Sequence, residues 1–509
     1  MRSVHLRISS MLRSCLRLKS TLAAPKPVTA IPNAPETGVG PLRSSMMYFT
    51  KGGGFQVLFK HLRALHDTIG PILRVRFVPF GPRMVSVTDL DVIAQLFRNE
   101  GPVPLRGAVP VWEYYRQIKQ WPRTTVTTND YAIWKKMRSS LSDHLLQPRN
   151  IGPWLPRIDA IAQDVTTRFE REAAASPTRD VDVTHTLKAY TLESVSSVLF
   201  GKRMGCLSAD HLTPITPAAQ RFINAVVGFF ETTQALNTLP PSMPPILFWL
   251  FPAFWRHVGH ANVIFEIGFE LMTEKLASTE ATAPDLLTAF LLRPELTERE
   301  AITQCIDLLF AGVDTTSQGI LWTLYAIATS HDALDLQRQL RDEVTAAMGD
   351  KTQLDKDALS KLPLVRACVK EALRLYPVFS TSMRVMHDDT TLLGYSVPKG
   401  TQVLMPIYAM SRDRSVFAEP DTFVPERWLG REAKSAADRK KAAYATLPFG
   451  MGARSCAGRR LAETEHYLLL AHMVRTMRFE VAPGVDHPEP IVQLALTPDK
   501  PLVLRMTPW

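Results

Sequence analysis

The chain has 509 residues, 46% of them hydrophobic and 21% charged, which suits a large buried core and argues against a disordered chain. Its net charge of +10 invites a nucleic-acid partner, but six of those charges (Arg2, Arg7, Arg13, Arg17, Lys19 and Lys26) fall within residues 1–35, which hold no Asp or Glu. No nucleic-acid role is predicted, and five irregularly spaced cysteines (Cys15, Cys206, Cys305, Cys368, Cys456) give neither a disulfide ladder nor paired zinc ligands, so a reducing compartment fits.

Residues 1–35 mix Arg, Ser and aliphatic side chains, the composition of a mitochondrial transit peptide. The remainder, 36–509, lacks long Gly/Ser linkers and internal repeats and reads as one large domain. No apolar run near the N-terminus is long enough to span a bilayer. From about residue 71 to 88, alternation and turn formers predict a small hairpin; from about 130 to 375, apolar residues at three- and four-residue spacing predict helices. Within that stretch, residues 246–255 are dense in Ile, Leu, Phe and Trp, and Arg256 and His257 follow as a basic flank. The segment is too short to span a membrane but suits peripheral contact with one leaflet; the competing reading is a core or channel wall. Residues 391–405 resemble a second hairpin, 411–455 read as irregular, and 457–478 as a last helix. The expected class is mainly α with a minor β portion.

The ten residues from Phe449 to Gly458, FGMGARSCAG, carry the most chemistry. Glycines let the backbone turn tightly and approach a flat cofactor, and Cys456 falls just before a helix, whose first amides favour a thiolate. Arg454 stands two residues away, able to bond a carboxylate of such a cofactor. Elsewhere, Glu371 and Arg374 share a helix face at three-residue spacing. Asp314 and Thr315 interrupt an otherwise apolar helix, where they cost stability unless partnered.

These residues resemble the cytochrome P-450 family, whose haem-binding loop, Phe-x-x-Gly-x-Arg-x-Cys-x-Gly, is matched at every fixed position. The resemblance covers about 40 to 505, is strongest from 300 to 470, and weakens between 208 and 260. It implies a single cytochrome P-450-type domain binding haem b (iron protoporphyrin IX) through Cys456 as axial thiolate, a ligand that favours oxygen activation over oxygen carriage. It further implies a structural network of Glu371, Arg374 and Arg427, the last from the Phe423–Trp428 segment FVPERW. Asp314 and Thr315 would be catalytic, Thr315 handling oxygen and Asp314 relaying protons. Trp134, Arg138, Arg384 and Arg454 would hold the haem propionates, with Phe449 also against the cofactor.

Arg366 and Lys370 on one helix, and Arg459 and Arg460 after Cys456, resemble the donor-docking cations of the mitochondrial branch, as does the stretch 191–207. That branch takes electrons from an acidic [2Fe-2S] ferredoxin and its reductase, and an acidic partner suits a cationic face. The implied activity is O2-dependent hydroxylation of a lipophilic substrate, a sterol, steroid or secosteroid, by a protein on the matrix side of the inner mitochondrial membrane. The alternatives are a haem-thiolate isomerase or dehydratase needing no donor, and a non-enzymatic haem sensor. Retention of Asp314, Thr315 and the basic residues argues against the isomerase.

Overall fold

The computed structural model describes residues 25–33, 54–77, 83–101, 104–107, 109–142, 145, 151–207, 215–239, 243–277, 285–430 and 435–509. The first 24 residues of the expected leader lie outside this range.

The N-terminal part holds helices α1 (Leu58–Ile69), α2 (Leu90–Arg98), α3 (Pro110–Lys119) and α4 (Tyr131–Leu141). The central part holds α5 (Leu155–Ala175), α6 (Val183–Phe200), α7 (Pro217–Leu236), α8 (Pro252–Ala277), α9 (Leu286–Leu291) and α10 (Glu298–Ala328). Then come α11 (Ala333–Met348), α12 (Lys356–Ser360), α13 (Pro363–Leu375), α14 (Ile407–Met410), α15 (Ala436–Thr446) and α16 (Arg459–Thr476). Twelve short strands are interspersed: β1 (Lys26–Pro27), β2 (Ile72–Val75), β3 (Met84–Val87), β4 (Asp180–Asp182), β5 (Ser382–Val385), β6 (Thr390–Leu392), β7 (Tyr395–Val397), β8 (Gln402–Met405), β9 (Met477–Val481), β10 (Pro490–Gln493), β11 (Ala495–Pro498) and β12 (Val503–Pro508). The chain is mainly α with a minor β portion, as expected.

Helix α10 organises the rest. It starts from a capping box, in which Thr297 accepts from the Glu300 amide while the Glu300 carboxylate accepts from the Thr297 amide. It is buried on most sides, packing against α6, α8, α13 and α16. One stripe escapes: Leu308, Ala311, Gly312 and Thr315 are only half-buried. Their spacing places them on a single helix face, so the packing leaves one line of this central helix open.

The sheets lie beside this helical body. β2, β3, β8 and β5 form a four-stranded sheet in that order, with β2 and β3 antiparallel as the expected hairpin. The second expected hairpin divides. β6 and β7 pair around Leu393 and Gly394, both at positive φ, while β8 leaves to pair with β3 and β5. A two-residue turn with both residues left-handed matches the twist of a tight hairpin, which ends the pairing at β7.

Three further expectations are corrected. The predicted helical stretch is interrupted by β4, whose residues pair with β12 near the C-terminus. The stretch expected to be irregular contains α15, capped by Ser435 Oγ on the Asp438 amide at 3.1 Å; its small hydrophobic content hid it. The last helix ends at Thr476, because Met477 already belongs to β9.

Residues 25–33 also pack on the domain. β1 runs parallel to β7, Ile31 is buried, and the Arg74 amide donates to the Pro32 carbonyl at 2.8 Å. No described helix is long and apolar enough to cross a membrane.

Candidate active site

The cysteine loop connects α15 to α16. Leu447, Gly450 and Gly452 take left-handed backbone angles, and the Cys456 amide donates to the Phe449 carbonyl at 2.8 Å, closing a tight turn. Cys456 is accessible yet surrounded by protein. Burial pushes its thiol pKa up, against the amides of Gly458 and Arg459 and the charges of Arg138 and Arg459. The amides at the helix start do favour the thiolate, but they do not outweigh desolvation. A bound metal ion supplies the missing positive charge.

Glu371 centres a closed charge network. Glu371 and Arg374 are fully buried. Glu371 Oε1 accepts from Arg374 Nη2 at 2.7 Å, Arg427 Nε at 2.8 Å and the Val424 amide at 3.0 Å. Its Oε2 accepts from Arg374 Nε at 2.9 Å and Trp428 Nε1 at 2.7 Å. Arg374 Nη1 reaches the carbonyls of Ser411 and Pro420, and Nη2 that of Thr422. The structure therefore brings together all three members that the sequence proposed, and adds Trp428.

On the other side of the loop the charges do not close. Arg106, Arg138, Arg384 and Arg454 form a cationic cluster. Arg454 Nε and Nη1 donate to the carbonyls of Pro104 and Thr128, both at 3.0 Å, and its guanidinium lies 4.4 Å from the Trp134 ring centroid. Arg454 Nη2 and Trp134 Nε1 are buried without a partner. Burial, then repulsion from Arg106, Arg384 and Arg138, pushes the Arg454 pKa down to about 9. Burial likewise lowers those of Arg106 and Arg138.

Unpartnered buried donors are costly, and repelling cations more so, unless an anion joins them. Two carboxylates of a dianionic porphyrin fit this cradle, and Cys456 beside it fits the iron. Arg106 was missed in the sequence: it sits in a short Gly- and Pro-containing loop (EGPVPLR) that reads as a solvated turn. Arg384 is present but already engaged by Glu100, through Nε at 2.6 Å.

Of the pair expected to handle oxygen, Thr315 lies on the open stripe of α10 and Asp314 is buried beside it. Thr315 Oγ1 donates to the Ala311 carbonyl one turn back, at 2.7 Å. Asp314 stands 3.5 Å from Lys188 Nζ on α6, and Gln318 Nε2 donates to it at 3.4 Å. Lys188 is the partner this acid needs in an apolar helix, and it was not legible from sequence. Nearby, Trp112, Tyr115, Phe229, Phe265 and Phe310 line an aromatic cleft with Arg116. Arg116 is neutralised by fully buried Asp307, which Thr124 also bonds. Phe229 comes from α7, inside the region where the family resemblance was weakest.

The expected docking cations divide. Arg459 Nε and Arg460 Nη1 both bond Glu463, at 2.9 and 3.0 Å, with their side chains well exposed. Arg366 turns partly inward, donating to the Leu359 carbonyl at 2.6 Å and lying 5.7 Å from the Tyr467 ring centroid. Lys370 is half-buried on the same helix.

A mainly helical domain with an accessible cysteine in a glycine turn, braced on one side and cationic on the other, defines a haem-thiolate protein. The cytochrome P-450 family model matches residues 39–506, and the chain belongs to that family. It is a monooxygenase that binds haem through a cysteine thiolate. It is 32% identical over 479 residues to the mitochondrial cholesterol side-chain cleavage enzyme of Oncorhynchus mykiss, covering 91% of this chain and 88% of that one. It is 30% identical over 482 residues to the mitochondrial sterol 26-hydroxylase of Homo sapiens, covering 92% and 87%.

Proposed function

We propose that this chain is a mitochondrial monooxygenase that hydroxylates a sterol-like substrate with electrons from an acidic [2Fe-2S] ferredoxin. The observation that carries the reading is Cys456 beside an unclosed cationic cradle, in a chain similar along its length to mitochondrial sterol enzymes. Haem bound there supplies oxygen activation. Trp134, Arg106, Arg138 and Arg454 hold its propionates, and Cys456 its iron. Thr315 offers its hydroxyl from the open stripe of α10, and Asp314, held by Lys188, passes protons toward it. The aromatic side chains Trp112, Phe229 and Phe310 offer an apolar wall for such a substrate.

The electrons arrive on the cysteine side, where Arg459 and Arg460 are exposed on α16 and α13 contributes Arg366 and Lys370. Membrane contact fits the segment before and within α8. Ile246 and Leu250 are 60% and 74% exposed, and Trp249 and Trp255 nearly half. Their indole N–H groups bond the Tyr114 hydroxyl and the Trp249 carbonyl, leaving apolar faces outward. Only Arg256 serves as a cationic flank. His257 is buried against Phe229 and the Thr232 hydroxyl, and burial lowers its pKa to about 3, so it is neutral. The peripheral site is the matrix face of the inner membrane, and the leader ends upstream of Lys26, since β1 belongs to the folded body.

Reconstitution with ferredoxin and its reductase tests this. Sterols should displace water from the iron in spectral titrations and be hydroxylated in proportion to electrons delivered, with Thr315→Ala lowering product per electron. Turnover without a donor, or no sterol response in the presence of intact thiolate spectra, would sink the reading.

A further inference from the structure

Among the described residues, Glu100 is the one carboxylate in the cationic cradle. Its side chain and that of Arg384 are 8% and 7% exposed, and Arg384 Nε donates to Oε1 at 2.6 Å. Arg384 Nη1 donates to the Met383 carbonyl at 3.0 Å, and Nη2 to that of Met451 in the cysteine loop at 3.3 Å. The guanidinium also lies 5.0 Å from the Phe97 ring centroid. Arg384 is therefore fastened by the chain itself.

The carboxylate touches the loop as well. A Cβ added to Gly452 would stand 2.5 Å from Glu100 Oε2 and push the carboxylate aside, and the left-handed backbone of Gly452 itself favours glycine.

Charge counting gives these contacts a meaning. Arg106, Arg138, Arg384 and Arg454 bring four positive charges, and two propionates leave an excess that is costly where water is scarce. Glu100 removes half of that excess. Glu100 is the only anion among the described residues that bonds any of the four.

We infer that Glu100 is a positioning residue and built-in counter-anion of the haem cradle: it holds Arg384 against the cysteine loop and limits the cradle's positive charge. The inference rests on the reading that this cluster holds the propionates. Linkage then fixes an unusual pair of signs. Removing the charge of Glu100 destabilises the haem-free protein, where the arginines repel, more than the haem-bound one, so haem is held more tightly while the apoprotein weakens. The added positive charge also favours ferrous over ferric iron. A purely mechanical brace behaves otherwise, because its loss loosens haem and leaves the potential unchanged.

The experiment compares wild type, Glu100→Gln, Arg384→Gln and the double variant, following haem transfer to excess apomyoglobin, apoprotein melting and the ferric/ferrous midpoint potential. Glu100→Gln is expected to release haem severalfold more slowly, melt lower as apoprotein and shift the potential positive. Arg384→Gln is expected to release haem faster and shift the potential negative, and the double variant to return both toward wild type. Faster release from Glu100→Gln, or unchanged potentials in the variants, overturns the proposal. If Glu100→Gln does not fold, the negative shift in Arg384→Gln and its reversal in the double variant still decide. Arg454→Leu separates the two levels: if it leaves haem release unchanged, the cradle reading itself fails. If it accelerates release and Glu100→Gln does not slow it, only the role of Glu100 fails.

Discussion

Two arginine clusters flank the cysteine loop, and they are built on opposite plans. Around Glu371, one carboxylate accepts from the guanidiniums of Arg374 and Arg427, an indole and an amide, and the remaining donors of Arg374 go to three carbonyls, so that every nitrogen of Arg374 is bonded. Around Arg454, four guanidiniums share one carboxylate, and two buried donors have no partner. Unmet buried polar groups are rare in folded proteins because each costs about 1–3 kcal/mol. The first cluster is closed by the chain itself, as the proposed structural role requires; the second is left short of anions, as the proposed propionate site requires.

Breaking each cluster should therefore give different results. The largest effect is expected for Glu371→Ala, which strands two guanidiniums; losing one partner of a buried pair costs about 3–5 kcal/mol. Haem-loaded protein should fail to accumulate, as read by the ratio of haem to protein absorbance, and normal loading would contradict the structural role. Next comes Arg454→Leu. Loss of a charge-assisted bond of about 1.5–3 kcal/mol should speed haem release by roughly one to two orders of magnitude. Its apoprotein should melt no lower than wild type, because one repelling charge is gone; a strong drop in apoprotein melting would place Arg454 with the braces.

A further, pH-dependent effect concerns a charge in neither cluster. Glu465 on α16 is buried, and burial pushes its pKa up to about 8. Between its ordinary value near 4.5 and about 8, the folded state holds a proton that the unfolded state has released. Stability from this group thus falls as pH rises through that window, by up to about 1.4 kcal/mol per pH unit. His466 beside it is lowered to about 4, also by burial, and works the other way, losing stability as pH falls from its ordinary value. The clean measurement is the difference in melting between Glu465→Gln and wild type across pH 5–8. A difference that does not grow with pH would show that Glu465 titrates normally.

How much of this was legible beforehand follows from distance along the chain. The loop motif from Phe449 to Gly458 lies in one window, and Glu371 with Arg374 in one helical turn, so local pattern found them. Arg427 came only through the PERW segment. Lys188, Glu100 and Arg106 were invisible because each meets its partner across more than a hundred residues or sits in a loop whose composition signals only a turn. Helix α15 went unread because it is nearly all polar and alanine, with little apolar periodicity. The predicted basic flank at His257 failed for the reverse reason: a histidine next to an aromatic run was counted as charged, and packing on Phe229 keeps it neutral.

The pairing of β12 with β4 and β9 has a consequence for the order of assembly. Val503 to Arg505 complete a sheet with residues 180–182, which separate α5 from α6. Trp509 then bonds the Val474 carbonyl and lies under Arg341. A chain emerging from the ribosome, or threading N-terminus first through a translocon, must therefore hold its first half without this strand until the last residues appear. Such long-range closure is slow and leaves apolar surface open meanwhile. Strand β12 thus joins its sheet late in synthesis, and the apolar surface it covers stays open until then.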